Sequence, residues 1–252
     1  MIKIILLGAG NVGHHLYNAF NKTSQIDLSQ WYCRDSRTIL YDNPNTEIIN
    51  DLSKIKNADV YIICVSDSYI GKLSNQINIS GKLVVHTSGS IDYTEINNKN
   101  RRGVFYPLQT FSKNKKLDIS KVPICIESEK TQDLILLENL SKKIGCKSYK
   151  INFEQRKKIH LAAIFSNNFA NHMFTIAKEI LDDENLDFNI LKPLIDETVD
   201  KIHKLDPENA QTGPAIRKNN EIITNHIKSL NNDDYKKLYV LMTKLIQEKH
   251  GK

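Results

Sequence analysis

Residues 6 to 16 of the chain read LLGAGNVGHHL, with glycine at positions 8, 10 and 13 directly behind the apolar run from Ile2 to Leu7. An apolar, β-branched run of this length predicts a strand, and residues 11 to 21 have the pattern of a helix. A strand that leads into a helix through three glycines at this spacing is typical of a turn that binds a diphosphate. The alternative is a plain bend, which needs one glycine rather than three.

Each glycine has its own expected role in such a turn. Gly8 permits the tight turn, Gly10 lets the main chain approach a diphosphate, and Gly13 lets the helix pack on the strand. The backbone amides of Asn11 and Val12, at the positive end of the helix dipole, attract the phosphates. These five residues are therefore the predicted core of a dinucleotide site.

The residues that follow the second predicted strand indicate which dinucleotide is bound. They are Arg34, Asp35, Ser36 and Arg37. A guanidinium pairs with phosphate in a planar, bidentate way, so Arg34 and Ser36 favour the 2′-phosphate of NADP. Asp35 favours the alternative, because an acidic residue at this place holds the bare ribose of NAD. NADP is the predicted cofactor, and NAD stays open.

Along residues 1–152, short apolar runs alternate with helix-like segments, which predicts an α/β Rossmann fold with a doubly wound parallel sheet. From residue 153 onward the pattern is helical. We therefore expect an NAD(P)-binding Rossmann domain over 1–152 and an all-α domain over 153–252. Strands are expected at 2–7, 28–33, 60–65, 83–86, 103–106, 122–126 and 148–151, and helices at 11–21, 68–77, 130–144, 154–182, 189–205, 219–230 and 233–249.

Ligands of doubly wound sheets bind at the carboxyl ends of the strands. Ser66 and Asp67 end one predicted strand, and His86 and Ser88 end the next, so all four are expected near the cofactor. Asp67 is equally well explained as a helix N-cap. His86 is a candidate proton donor, and the alternative is a histidine held by backbone hydrogen bonds. The stretch FYPLQTF at 105–111 either lines the pocket or packs.

The long predicted helix contains the sequence IHLAAIFSNNFANHMF, residues 159 to 174. At about 100° per residue, His160, Asn167 and Asn171 fall on one stripe with Asn168 beside it. Such a polar but mostly uncharged stripe is expected to face a polar cleft, and the alternative is an ordinary outer surface. Further along, Arg217 follows a Gly-Pro turn and is a candidate anchor for an anionic group, or else a surface residue.

Composition limits the class of protein. The chain has 252 residues and a formal net charge of +6, but its basic clusters are short and interrupted, so no nucleic-acid partner is expected. No apolar run approaches the ~20 residues of a membrane span, and no secretory signal is seen. Four well separated cysteines predict buried thiols rather than a metal site. We expect a cytoplasmic protein that acts on a small molecule.

The segments LGAGNVG, VSD, LVVHTSGS, FYPLQTF, HLAAIFSNNF and TGPAIR together resemble a bacterial family of two-domain proteins. That family joins a Rossmann-like NADP-binding domain to a helical domain of unknown function. It is related to deazaflavin-dependent NADP reductase (the coenzyme F-four-twenty enzyme), to pyrroline-5-carboxylate reductase and to 6-phosphogluconate dehydrogenase-like enzymes. The resemblance implies a cleft between the domains that holds nicotinamide and substrate, and a homodimer formed through the helical domain.

His160 and Asn168 match the family's motif on the long helix, and Thr212 to Arg217 match its loop. Two departures are seen. Asp35 separates an arginine and a serine that are often adjacent in the family, which weakens the prediction of NADP. Lys218 and Asn219 stand where the family often has glycine and aspartate, which puts a catalytic acid at that position in doubt.

The leading hypothesis is an NADP-dependent oxidoreductase that moves a hydride between the nicotinamide and a small carbonyl or imine. His160 is the candidate acid or base, because histidine titrates near neutral pH. Asn168 is expected to bind the substrate oxygen, with Asn171, Thr212 and Arg217 as further substrate-binding residues. The rival hypothesis is a dinucleotide-binding regulator or scaffold without turnover, which needs none of these helical-domain residues.

Overall fold

The computed structural model describes residues 1–35, 45–112 and 115–250. The chain divides into two compact units, Met1–Phe165 and Ser166–Lys252, which we call the sheet unit and the helical unit. The first helix after the sheet thus belongs with the sheet unit. The functional division predicted at residue 152 is a separate matter and stays a prediction.

Within the described residues, eight strands form one sheet in the order β3-β2-β1-β4-β5-β6-β7-β8. Every neighbouring pair is parallel except β6 and β7. This arrangement confirms the predicted Rossmann-like α/β class. The strands are β1 (Ile2–Leu7), β2 (Ile26–Tyr32), β3 (Glu47–Ile49), β4 (Val60–Ile63), β5 (Leu83–His86), β6 (Arg101–Pro107), β7 (Ile124–Ser128) and β8 (Ser148–Lys150).

The sheet is wound in two directions from its centre. Strand β1 pairs with β2 on one side and with β4 on the other, so the chain reverses its direction of winding there. Ligands of such folds bind at the carboxyl ends of the strands beside this reversal. The helices α1 (Asn11–Asn21), α2 (Ile70–Gln76) and α3 (Thr131–Lys143) follow β1, β4 and β7.

The two faces of the sheet are buried in separate apolar clusters. Ile4 and Leu6 belong to one cluster together with Trp31, and Ile5 and Leu7 belong to the other. Because successive residues of a strand point to opposite faces, β1 contributes to both clusters. This explains why its sequence is a continuous apolar run rather than an alternating one.

Two features of the sheet depart from the sequence prediction. Strand β3 is only three residues long and was not expected from its sequence pattern. Strand β7 runs antiparallel to β6, although a parallel sheet is predicted. A parallel crossover usually needs a helix, and in the described part of this connection there is only a 3₁₀ turn, Ile119–Lys121.

Helix α4 (Phe153–Ala163) begins at a capping box formed by Asn152 and Gln155. A π-helical segment, Ile164–Phe169, follows, and then α5 (Ala170–Asp182). The prediction of an uninterrupted α-helix over 154–182 is therefore wrong. The i→i+5 bonding of a π-helix widens each turn, so the stripe calculated for α-helical geometry does not continue through this segment.

The remaining helices of the helical unit are α6 (Lys192–Lys204), α7 (Pro207–Ala210), α8 (Asn220–Ser229) and α9 (Asp233–His250). Three of them match the predicted segments at 189–205, 219–230 and 233–249, and the short helix α7 was not predicted. Within the described residues, no helix is both long enough and apolar enough to cross a membrane.

The helical unit exposes most of its large apolar side chains. Among its described residues, only Ile176, Ala215 and Ile223 are buried apolar side chains. Phe169, in the π-helical segment, and Ile180, on α5, are 49% and 43% exposed. The exposed large apolar side chains among the described residues of this unit are Phe169, Phe174, Ile180, Leu186, Ile190, Leu194, Val199, Ile202, Leu205, Ile222, Val240, Leu241, Met242 and Leu245.

Candidate functional site

Two of the three glycines in the turn are required by the chain's own packing. Gly8 has a φ of +119°, and a Cβ there would lie 2.4 Å from the carbonyl oxygen of Cys64. A Cβ on Gly13 would lie 2.4 Å from the carbonyl oxygen of Gly8. The first position therefore excludes a side chain by conformation and by space, and the second by the close approach of helix to strand.

Gly10 differs from its two neighbours. The nearest atom to a Cβ there would be the carbonyl oxygen of Cys64 at 3.7 Å, which is an ordinary contact. Its backbone is extended, with φ −74°, and it occupies the N-cap position of α1. A plain bend does not need glycine here, whereas a diphosphate approaching the amides of Asn11 and Val12 does.

Trp31 braces the turn from the neighbouring strand. Its indole Nε1 donates a hydrogen bond to the Gly8 carbonyl over 2.8 Å, and its ring stacks on Tyr17 with 4.5 Å between centroids. The indole is fully buried. This tryptophan is the only one in the chain, so its fluorescence reports on the glycine turn.

A cleft of about 690 Å³ lies at the carboxyl ends of β1, β2, β4 and β5. Among the predicted cofactor residues, Gly13 and His86 do not line it, and Ser36 lies outside the described residues. The remaining eight predicted cofactor residues all line this cleft: Gly8, Gly10, Asn11, Val12, Arg34, Ser66, Asp67 and Ser88.

His86 lies in the interior of the sheet unit. Its side chain is fully buried, and its Nδ1 accepts a hydrogen bond from the backbone N–H of Ser88 over 3.1 Å. Burial, reinforced by the nearby positive charge of Arg156, lowers the pKa of His86 to about 4. The imidazole is therefore neutral at physiological pH. This geometry favours the alternative of a histidine held by the backbone over that of a proton donor.

Asp67 connects two strand-end loops. Its Oδ2 accepts a hydrogen bond from the Ser90 hydroxyl over 2.5 Å. The Ser88 hydroxyl oxygen in turn accepts bonds from the backbone N–H groups of Ser90 and Ile91. The carboxylate thus ties the end of β4 to the loop after β5 while it lines the cleft.

Two cationic side chains, Arg34 after β2 and Lys72 on α2, line the cleft. The Arg34 guanidinium lies 5.5 Å from the ring centroid of Tyr69, and Lys72 follows on α2. Lys72 has no carboxylate partner among the described residues. Tyr69 and Lys72 are absent from the predicted cofactor residues. The two residues are three positions apart where the chain enters α2, shortly after β4. This spacing places their side chains on the same side and could have identified them in the sequence.

His160 lies at the loop that follows β5. The Tyr106 hydroxyl is 3.1 Å from Nδ1 of His160, and the two rings meet edge to face with centroids 6.1 Å apart. A Cβ on Gly89 would lie 2.7 Å from the same Nδ1 and 2.8 Å from Cζ of Tyr106. The structure therefore brings together residues of three predicted motifs, LVVHTSGS, FYPLQTF and IHLAAIFSNNF. Gly89, at this contact, directly follows Ser88, which lines the cleft.

The stretch FYPLQTF packs rather than lining the cleft among the described residues. Tyr106 pairs with His160, and the Phe111 ring contacts the His15 ring with centroids 5.1 Å apart. The Phe111 carbonyl accepts a hydrogen bond from the side-chain amide of Asn11 over 2.9 Å. The predicted cofactor residue Asn11 is thereby held at the start of α1 by its side chain, which leaves its backbone amide for a ligand.

A buried ion pair anchors the helix that carries His160. Arg156 is fully buried, pairs with the Glu127 carboxylate, and donates a hydrogen bond to the Ile91 carbonyl over 2.6 Å. Glu127 also accepts a bond from the backbone N–H of Phe153. Residues 156 and 160 are one turn apart, so they share a helix face. The sequence does not reveal this role, since QRKK is typical of a surface cluster.

The remaining predicted substrate residues belong to the helical unit. Asn168 lies in the π-helical segment and Asn171 on α5, and both side chains are exposed. Thr212 and Arg217 are also exposed, in the turn before α8 where Gly213 has a φ of +111°. Their substrate-binding roles stay predictions.

Comparisons with known proteins define the family. Residues 122–246 match a family described as a domain of unknown function, DUF2520. A Bacteroides fragilis protein described as a "putative NADP oxidoreductase" is 38% identical over 98% of both chains, with a TM-score of 0.87. No curated protein sequence matches the chain.

Two more distant structures share the fold. A Thermotoga maritima protein is 21% identical over 98% of both chains, with a TM-score of 0.74. The Plasmodium falciparum pyrroline carboxylate reductase, solved with NADP bound, is 14% identical over 99% of this chain and 97% of its own, with a TM-score of 0.59. At these identities the likeness concerns the fold.

The sheet order and the glycine turn place the chain in the Rossmann-type α/β class. Within that class, the chain belongs to the same family as the Bacteroides protein, in which a Rossmann-like domain is joined to the helical domain of unknown function. This confirms the resemblance seen in the sequence. The predicted cofactor, NADP, is also the one named for that relative.

Proposed function

We propose that this chain is an NADP-dependent oxidoreductase that transfers a hydride between the nicotinamide and a small carbonyl or imine substrate. The observation that carries this proposal is Gly10. It is a glycine that the chain's own packing does not require, at the N-terminus of a helix that opens into the cleft. A diphosphate bound to the helix amides is the physical reason for its lack of a side chain.

The charges at the cleft support NADP as the cofactor. Arg34 and Lys72 are the two cations of the cleft that would pair with the 2′-phosphate of NADP. Thr87 and Ser88, after β5, line the same cleft and are the residues that would contact the nicotinamide. Asp35 lines the same cleft and is the feature that favours NAD instead.

The proposed chemistry divides the work between cofactor and protein. Reduced NADP supplies the hydride to the substrate carbon. His160 supplies the proton that the carbonyl oxygen or imine nitrogen needs, and takes it back in the reverse reaction. His160 suits this role because Tyr106 and Gly89 hold its ring beside the loop after β5.

Asn168, Asn171, Thr212 and Arg217 are the proposed substrate-binding residues. Their side chains are exposed, so substitutions there are expected to leave stability nearly unchanged. If Arg217 anchors an anionic group, Arg217→Ala raises KM for anionic substrates and leaves NADPH affinity as it is.

Turnover of a substrate panel separates the enzyme from the rival regulator. NADPH affinity is measured from Trp31 fluorescence, and NADPH oxidation is followed with aldehydes, ketones and cyclic imines. In the enzyme, His160→Ala keeps NADPH affinity and loses about 10²-fold to 10⁴-fold in kcat. His172→Ala, an exposed histidine on α5, is the matched control and keeps full activity. A wild-type protein that binds NADPH but does not oxidise it with any substrate of the panel favours the regulator.

We also propose that the helical unit forms a homodimer. Its fourteen large exposed apolar side chains contrast with three buried apolar residues among the described ones. Apolar surface on this scale is rare on a monomer and is typical of an interface. The proposed partner is the helical unit of a second copy, because each copy exposes the same apolar side chains.

The proposed compartment is the cytoplasm, with a small molecule as the partner and no nucleic acid or membrane. All four cysteines lie in the described residues, are buried, and form no disulfide. Unpaired thiols suit a reducing compartment. Fractionation of cells that express the tagged protein tests this directly.

A further inference from the structure

Tyr106 contacts the proposed acid or base through one atom. Its hydroxyl is 3.1 Å from Nδ1 of His160, which is its hydrogen-bond partner among the described residues. Tyr106 lies on β6, which is paired along its length with β5 and β7. The hydroxyl is therefore presented by a rigid part of the sheet.

Two further restraints fix the imidazole in this contact. The backbone of Gly89 packs so closely that an added Cβ would lie under 3 Å from both rings, at 2.7 Å from His160 and 2.8 Å from Tyr106. Arg156, one helical turn before His160, is locked by the Glu127 carboxylate and the Ile91 carbonyl. The ring of His160 is thus held by a hydrogen bond, by packing and by the anchored helix.

The proton positions on the imidazole decide which way the hydrogen bond runs, because the phenol stays protonated. Burial raises the pKa of Tyr106 to about 12, so the hydroxyl keeps its proton. A neutral imidazole with its own proton on Nε2 accepts a hydrogen bond from this hydroxyl at Nδ1. A charged imidazolium has protons on both nitrogens, and Nδ1–H then donates to the phenol oxygen. In both states Tyr106 occupies Nδ1.

We propose that Tyr106 is a positioning residue that occupies Nδ1 of His160 and so leaves Nε2 as the nitrogen that exchanges a proton with the substrate. This inference rests on the proposed function of His160 as acid or base. The imidazolium releases the Nε2 proton to the substrate oxygen or nitrogen as the substrate carbon gains the hydride. The ring becomes neutral as the tautomer with its proton on Nδ1, which still donates a hydrogen bond to the phenol oxygen. Nε2 then takes up a proton from the solvent before the next turnover.

The first test removes only the hydroxyl. Tyr106→Phe is expected to lower kcat by about 10-fold to 100-fold while NADPH affinity stays within twofold, because misorientation of a reacting group costs about this much. Tyr149→Phe, at an exposed tyrosine on β8, is the matched control and leaves both unchanged. An unchanged kcat in Tyr106→Phe overturns the inference.

The second test asks which nitrogen reacts. The amide of glutamine reaches the position of Nε2, whereas the shorter amide of asparagine reaches that of Nδ1. Neither amide transfers a proton, but a glutamine N–H at the Nε2 position can still donate a hydrogen bond to the charge that develops on the substrate. His160→Gln is therefore expected to retain more residual activity than His160→Asn. Equal activity, or the reverse order, contradicts the assignment of Nε2.

The third test does not depend on turnover. The ¹⁵N resonance of His160 Nδ1 is expected to shift on Tyr106→Phe, while that of the exposed His172 stays in place. An unchanged Nδ1 resonance overturns the pairing whatever the enzyme does. A shifted resonance in a protein without any turnover overturns the proposed function and leaves the pairing intact, so the two failures are distinguishable.

Discussion

The sheet unit and the helical unit differ in how far their own residues bury their apolar side chains. In the sheet unit, both faces of the sheet are covered, and side chains such as Leu6, Trp31 and Ile62 are fully buried. In the described part of the helical unit, Leu194 and Ile190 are each 63% exposed, and three apolar residues are buried. The sheet unit therefore buries its apolar side chains by itself, whereas the described part of the helical unit leaves most of its large ones exposed.

This difference teaches that the two units are stabilised from different sources. The hydrophobic effect contributes roughly 25 cal/mol for each Å² of apolar surface removed from water. The sheet unit gains this contribution within one chain. The helical unit gains little of it by itself, so on our proposal it depends on a second copy. Each prediction below tests one side of this contrast.

The largest effect is expected at the glycine turn of the sheet unit. Gly8→Ala is expected to lower the free energy of unfolding by about 3 kcal/mol or more, because it combines a positive φ with a backbone clash. Gly10→Ala is expected to cost less than about 1 kcal/mol, as for an alanine at an N-cap. Urea denaturation measures both values.

Nucleotide binding gives the control for this pair of variants. Gly10→Ala is expected to weaken NADPH binding by about 10-fold or more despite its intact fold, because its methyl group occupies the space of the diphosphate. A Gly10→Ala protein that binds NADPH as the wild type does would show that the turn is a plain bend.

The proposed dimer of the helical unit is tested by placing a charge on the exposed apolar surface of that unit. Leu194→Glu is expected to weaken dimerisation by about 30-fold or more, since a carboxylate buried without a partner is costly. Lys192→Glu introduces the same charge about 200° away around α6 and is the matched control. Light scattering across a dilution series measures both. A wild-type protein that is monomeric at tens of micromolar contradicts the proposal.

The free energy of unfolding is expected to decrease at acidic pH because His86 is buried in the sheet unit. Its folded pKa of about 4 lies below the unfolded value of 6.5, so the unfolded state binds more protons between these values. The stabilisation is complete above about pH 6.5, falls as the pH falls, and the loss levels off below about pH 4. At pH 5 the expected loss is about 2 kcal/mol relative to pH 7.5.

His86→Asn is the control for this pH dependence. Its side-chain oxygen still accepts the backbone N–H of Ser88, and it does not titrate. The variant is expected to lose less stability than the wild type between pH 7.5 and 5 in urea denaturation. An equal loss in both proteins means that His86 is not the group responsible.

The smallest effect is expected at the exposed end of the cleft. Arg34→Ala is expected to narrow the preference for NADPH over NADH by about fivefold, since an exposed cation near a phosphate contributes about 1 kcal/mol. Lys72→Ala is expected to act in the same direction, and Lys130→Ala, at an exposed lysine outside the cleft, has no effect. Equal affinities in the wild type would show that Asp35 governs the ribose.

Much of the sheet unit could be predicted because its signals are local. The bounds of β1 and α1 are those expected from the sequence, since an apolar run and three glycines fix both ends. The carboxyl-edge residues Ser66, Asp67 and Ser88 line the cleft for the same reason. In these segments propensity, spacing and topology favour the same structure.

The features that could not be predicted depend on contacts distant in sequence. The Tyr106–His160 pair joins residues 54 positions apart, and Arg156 is buried only because Glu127 and the Ile91 carbonyl meet it. The three residues of β3 are too few for a strand pattern. The π-helical segment keeps a composition that also suits an α-helix, so its change of hydrogen bonding has no local signal.

Calorimetric titration of the intact protein with NADPH and with NADH tests the central claim most directly. The account predicts saturable binding of one NADPH per chain, tighter than the binding of NADH. If neither nucleotide gives saturable heat, the glycine turn does not hold a dinucleotide, and the assignments of Arg34, Lys72 and His160 are contradicted with it.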